Sequence, residues 1–146
     1  MGMQLSTKSR YGVRAMIEIA RLGKSGPVKR KDISRAQKIS HAYLENILIT
    51  LKSSRLIRTV RGAKGGFALD MPASAITLFR IVTALEGTLS PVECLESASI
   101  CEKTGACAAR TAWAKLYAAQ KKVLEEITLQ DLEDWESTDG VPDYAI

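Results

Sequence analysis

Apolar residues recur with helical spacing along most of this chain, and the pattern gives way to short alternating strands only once. Val13, Met16, Ile17 and Ala20 form a stripe that predicts a first helix over residues 7–22, with Ser6 as N-cap and Gly23 as its stop. Ser25-Gly26-Pro27 breaks the chain. A short second helix then fits residues 30–37 with Ile33 and Ala36 inward, and Lys38 and Ile39 are left for a tight turn. Residues 39–54 read as a third, amphipathic helix capped by Ser40. Its Leu44, Ile47, Leu48 and Leu51 point into a core, while His41, Ala42, Tyr43, Glu45 and Asn46 face outward on the first turns. Two short strands, 56–60 and 67–69, flank Arg61-Gly62-Ala63-Lys64-Gly65-Gly66. Helix, turn, helix and basic hairpin in that order describe a winged helix-turn-helix.

Thr77 can cap a helix over 78–85 that Gly87 closes. Residues 88–106 carry little periodicity of either kind, and an irregular segment of that length is expected to be functional or held by something. Helical spacing returns over 108–127 through Trp113, Leu116, Tyr117, Gln120, Val123, Leu124 and Ile127. That stripe exceeds what a small winged helix can cover, so two copies packed against each other are expected to bury it. Thr128 with Asp131 makes a capping box for a last short helix through Trp135. The fold class expected is mainly α with a small β-hairpin wing and a long dimerisation helix. Its parts are a winged helix-turn-helix unit at 3–73, an irregular loop and dimerisation helix at 74–135, and a frayed polar tail at 136–146.

Charge sharpens this picture. Residues 1–70 hold 15 Lys and Arg against 4 Asp and Glu, a balance of +11, whereas 71–146 hold 6 against 12, a balance of −6. The basic half is the helix-turn-helix half, the footprint expected for a polyanion partner. Arg10 and Arg14 lie opposite the first helix's apolar stripe, and each reads either as a phosphate contact or as part of a solvated face. In the hairpin tip, glycines permit close backbone approach and Arg61 and Lys64 can enter a minor groove or sit on phosphate. A nucleotide-phosphate loop is disfavoured, because no Gly-Lys-Ser/Thr follows and the flanks are short strands.

With 46% hydrophobic and 25% charged residues the chain is ordinary globular material. No apolar run approaches the ~20 residues of a membrane span, and no signal segment opens the sequence, so a cytoplasmic protein without a membrane partner is expected. In that compartment three cysteines, an odd count, argue against a disulfide framework. Cys94, Cys101 and Cys107 are separated by six and then five residues, which is not zinc-knuckle spacing. Three thiols in one long polar loop suit an iron–sulfur cluster; unconnected small apolar residues are the alternative. No Ser/His/Asp or Cys/His catalytic grouping is visible, so an enzyme is not expected.

Residues 3–16, the start of the third helix at 39–45 and the hairpin at 60–67 together closely resemble the Rrf2 family of bacterial transcription regulators. The three cysteines after Glu86-Gly87 point to its iron–sulfur branch, typified by IscR. The resemblance implies a homodimer crossing through the long helix, operator DNA under the third helix and wing, and a cluster whose state controls repression or activation of iron–sulfur assembly genes. It places Ser40, Tyr43, Glu45 and Asn46 on bases or phosphates and Arg61 with Gly62 in the minor groove. A carboxylate facing DNA is repelled by phosphate unless it accepts a proton from cytosine N4, so Glu45 reads as a discriminator.

Two departures stand out. Arg110 occupies the position of the histidine that completes the ligand set in the IscR type, and Arg10 stands where the nitric-oxide-sensing branch places an aspartate ligand. The resemblance favours a 2Fe–2S cluster and admits 4Fe–4S, with Glu93, Glu96 and Glu102 as local candidates for a fourth ligand. The alternative within the family is a cluster-free member resembling the cysteine-metabolism regulator CymR, controlled by thiol redox state or by a protein partner.

Overall fold

The computed structural model describes residues 4–137. Helix α1 spans Thr7–Leu22, α2 Arg30–Gln37 and α3 His41–Ser53; strands β1 (Ile57–Val60) and β2 (Gly66–Leu69) form an antiparallel hairpin; and α4 (Leu78–Glu86), α5 (Ala108–Glu126) and α6 (Leu129–Ser137) complete the order. The expected tail begins inside α6, and residues 138–146 lie outside the described residues.

The caps explain where the helices start. The Ser6, Ser40 and Thr77 hydroxyls accept the backbone N–H groups of Ser9, Tyr43 and Arg80, each satisfying an otherwise orphaned donor. At α6 the box is reciprocal: Thr128 N–H donates to Asp131 Oδ2 at 2.9 Å, and Asp131 N–H donates to Thr128 Oγ1 at 3.1 Å.

One core joins the helix-turn-helix to the segments after it. Met16 and Ile19 of α1, Ile33 of α2, and Leu44, Ile47, Leu48 and Leu51 of α3 pack with Ile76, Ile81, Leu85 and Leu129. Ala36, expected inward, is exposed instead, because Ile33 alone turns the eight-residue α2 onto the core. Helix α6 lies over α1, where Glu133, 2% exposed, forms an ion pair with Lys24 at 2.5 Å. Two backbone hydrogen bonds of 2.8 Å, Leu78 N–H to the Ile127 carbonyl and Leu129 N–H to the Ile76 carbonyl, tie the end of α5 to the start of α4. Residues 87–126 thus form an excursion whose two ends meet.

Helix α5 has no buried residue, and its Trp113 and Val123 are 42% and 55% exposed. Residues 88–106 contain only three single 3-10 turns, at Glu93–Leu95, Ala98–Ile100 and Thr104–Ala106.

Helix α4 ends against the start of α1. Ser6 N–H donates to Glu86 Oε1 at 2.6 Å, and the Ser6 hydroxyl, followed by that of Ser9, holds the Glu86 carboxyl below its ordinary range against an opposing effect of burial. Ser9 Oγ is buried without a hydrogen-bond partner, and the contact that the geometry shows directly is the Ser6 N–H bond to Glu86. A carboxyl whose pKa is lowered by folding stabilises the fold above the unfolded pKa, and that contribution fades as pH falls through the folded pKa. Thermal midpoints measured from neutral to acid pH are therefore expected to fall less steeply on the acid side in Glu86→Gln than in the parent. Superimposable acid limbs would show that the contact adds no stability.

Candidate functional site

The outward face of α3 and the tip of the hairpin form one basic surface. Ser40 starts α3, and the next turns expose His41, Ala42, Glu45 and Asn46. Tyr43 differs from these: it is half-buried, and its ring meets that of Tyr11 edge-on with centroids 6.0 Å apart. Arg14 stacks on Tyr11, its Cζ 4.9 Å from the ring centroid. Arg14 also donates through Nε to Gln37 Oε1 at 2.7 Å and through Nη2 to the Gln37 carbonyl at 2.8 Å. Gln37 Nε2 in turn donates to Glu18 Oε1 at 2.7 Å, and Glu18 pairs with Arg21 at 2.6 Å. Arg14 is thereby committed to joining α1 to α2, while Arg10 remains at the surface and, among the described residues, makes a 3.1 Å side-chain bond to Thr7 Oγ1. Neither Gln37 nor Glu18 was marked by the sequence pattern. Their pairing crosses 19 positions between two helices, and no local spacing signals it.

Glu45 Oε1 lies 3.2 Å from Arg30 Nη1 at the start of α2. The pair is exposed and worth at most about 1 kcal/mol. It walls a small groove, about 170 Å³, with Leu48, Ile49, Lys52, Thr59 and Phe67 between α3 and the hairpin. Arg30 is a second member of this surface that the sequence pattern did not single out.

The hairpin tip exposes Arg61, Gly62 and Lys64. Gly62 has φ 110°, open to glycine and strained for other residues. The base of the hairpin is pinned from outside: Val28 and Phe67 exchange two 2.8 Å backbone hydrogen bonds, adding a third short rung ahead of α2. A Cβ on Gly66 would sit 2.5 Å from the Val28 carbonyl oxygen, so the close approach requires glycine.

The cysteines lie in the loop after α4 and at the start of α5. Cys94 and Cys107 are half-buried and Cys101 is exposed. Cys107 is the N-cap of α5, with its sulfur accepting Arg110 N–H at 3.4 Å, and Arg110 Nε donates to the Cys94 carbonyl at 3.2 Å. Arg110 therefore links the two outer cysteines through hydrogen bonds. Soft thiolates have the chemistry for three corners of an iron–sulfur cluster. Among the described residues, however, no three His, Cys, Asp or Glu side chains stand together at metal-binding spacing. Among the described residues no helix is long and apolar enough to cross a membrane.

Residues 5–134 match the family model described as Rrf2, iron-dependent transcriptional regulator. The regulator CymR of Bacillus subtilis is 39% identical over 138 residues, 94% of either chain, and its solved structure superposes with a TM-score of 0.76 over 90% of this chain and 97% of that one. IscR of Yersinia pseudotuberculosis is 35% identical over 130 residues, 89% of this chain and 79% of that one. The solved structure of IscR from T. potens, 32% identical, superposes with a TM-score of 0.77 over 97% of this chain and 94% of that one.

Proposed function

The chain belongs to the Rrf2 family of DNA-binding transcription regulators, and we propose that it binds operator DNA as a homodimer under the control of the cysteine loop. The observation that carries this reading is α5, a 19-residue helix with an apolar stripe and no buried residue, in a chain whose basic helix-turn-helix exposes its outer face. Two copies joined through α5 would present two α3 helices and two wings to successive turns of a duplex. On that duplex, Ser40, Tyr43, Glu45 and Asn46 contact base edges or phosphates, Arg61 and Gly62 enter the minor groove, and Arg10 and Lys64 hold phosphate. Residues 74–135 then serve as the sensing and dimerisation part.

For the signal, Cys94, Cys101 and Cys107 would hold an iron–sulfur cluster, with Arg110 orienting the Cys94 backbone and the Cys107 cap. The cluster, when bound, would supply a redox- and iron-responsive tie across a loop that has no apolar core of its own. A second reading, reversible thiol oxidation without a metal, is favoured equally by the similarity to CymR and by the exposure of Cys101.

Anaerobic purification with iron, sulfide and visible-spectrum analysis separates the two readings. The cluster reading expects bound iron and sulfide in the parent and near-complete loss in each of Cys94→Ala, Cys101→Ala and Cys107→Ala. Full occupancy in any one variant removes that cysteine from the ligand set. A parent that takes up neither iron nor sulfide leaves thiol chemistry as the control.

A further inference from the structure

Among the described residues only two that are not glycine adopt positive φ: Lys38 at 54° and Arg55 at 59°. Both are exposed cations, and they bracket α3, one just before its N-cap and one just after its C-terminus. Left-handed backbone is unfavourable for any residue with a Cβ, and glycine or asparagine is the usual occupant of such a helix end. We propose that Lys38 is retained in this conformation as a phosphate anchor for α3, a DNA contact added to those of the helix face and wing. The proposal rests on the DNA-binding reading above.

The turn leaves Lys38 little choice of direction. Its own N–H donates to the Ser34 carbonyl as the cap of α2. Ser34 Oγ donates to the Ile39 carbonyl at 2.5 Å, Ile39 N–H donates to the Ser34 carbonyl at 3.2 Å, and the preceding Gln37 carbonyl is held by Arg14. Ile39 is buried and Ser40 caps α3. Every neighbour is fixed by the fold, and the Lys38 side chain is the one group of the turn with no role inside it. Among the described residues its ammonium makes no hydrogen bond or ion pair. A strained position whose side chain returns nothing to the fold points to a use outside it. The turn lies two residues from the N-terminus of α3, where a docked recognition helix meets a phosphate strand.

Arg55 provides an internal control. It shares the backbone conformation and the charge but lies at the other end of a 13-residue helix, roughly 20 Å along the axis from the N-terminal turns.

The test compares Lys38→Gly, Lys38→Arg and Arg55→Gly with the parent, on a duplex selected from a random library by the parent and on an unselected duplex. Glycine is expected to raise the thermal midpoint at both positions, because each relieves left-handed strain. Lys38→Gly alone is expected to weaken binding several-fold on both duplexes and to reduce the salt slope by about two, since each protomer of the dimer loses one phosphate contact. Lys38→Arg is expected to bind as the parent does, and so is Arg55→Gly. Full affinity and an unchanged salt slope in Lys38→Gly, beside a parent that binds, would overturn this inference alone. Equal losses in Lys38→Gly and Arg55→Gly would also overturn it, since charge anywhere near α3 would then suffice. A parent that binds no duplex at low salt would overturn the regulator reading and this inference with it.

Discussion

Raising salt from about 50 to 200 mM is expected to weaken operator binding by roughly 10³-fold or more, the loss that six or more neutralised phosphates impose. The structure shows which cations remain to do this. Of the fifteen in the basic half, Arg14, Arg21 and Lys24 are engaged inside the fold with Gln37, Glu18 and Glu133, and Arg30 pairs with Glu45. Most of the others, including Arg10, Lys38, Arg61 and Lys64, are exposed. A homodimer doubles that set, and each phosphate neutralised by a side chain adds about 0.9 to the slope of log affinity against log salt. Titrating labelled duplex by fluorescence anisotropy at four or five salt concentrations measures the slope. A response that is flat across this range would sink the DNA-binding role of the basic half.

The second large effect is expected from a single methyl group. In Gly66→Ala the new Cβ would meet the Val28 carbonyl oxygen at 2.5 Å and its carbon at 2.8 Å. Both are backbone atoms fixed by the two Val28–Phe67 hydrogen bonds, so they cannot swing aside as a side-chain tip would. The strand must move away, which costs about 1–3 kcal/mol by the measure of overpacked sites and releases the wing from the body. Helical signal in circular dichroism should survive, since α1 to α6 draw their core from other residues. Preference for cognate over random DNA should collapse, a loss on the order of 10³-fold where wing and helix must read together. Retained preference in a folded Gly66→Ala would mean that α3 reads the operator without the wing.

The periodic parts of this molecule were legible in the sequence because a single physical cause produced them. Leu44, Ile47, Leu48 and Leu51 are buried as their spacing requires, and Ser6, Ser40, Thr77 and the Thr128–Asp131 pair act as caps because short polar side chains satisfy orphaned donors wherever a helix starts. The long α5 was legible as a helix whose apolar stripe this chain leaves without a buried residue. Ala36 misled because an eight-residue helix touches the core through little more than one side chain, and period alone does not say which. The Arg14–Gln37–Glu18 chain, the Arg30–Glu45 pair and the Arg110 link between Cys94 and Cys107 escaped for another reason. Each joins residues from different elements, and directional side-chain contacts of that kind leave no repeat in a sequence. The left-handed Lys38 escaped because lysine there goes against backbone preference, and the turn at 38–39 was visible while its strain was not.

The excursion of residues 87–126 has a consequence for synthesis. The last wall of the DNA-binding body is α6, and Leu129 and Glu133 close over α1 about a hundred residues after α1 itself was made. At ~5–20 residues per second the ribosome takes some seconds to pass from the end of α4 to the start of α6. Throughout that interval the helix-turn-helix has been made but Lys24 still lacks Glu133, and the cysteine loop follows it. Contacts so distant in sequence also form slowly, because the intervening chain must be ordered before they add stability. The thiols are therefore made before α6 can seal α1, and any chain cut short between residues 70 and 128 carries a full helix-turn-helix sequence on a body still open on one side.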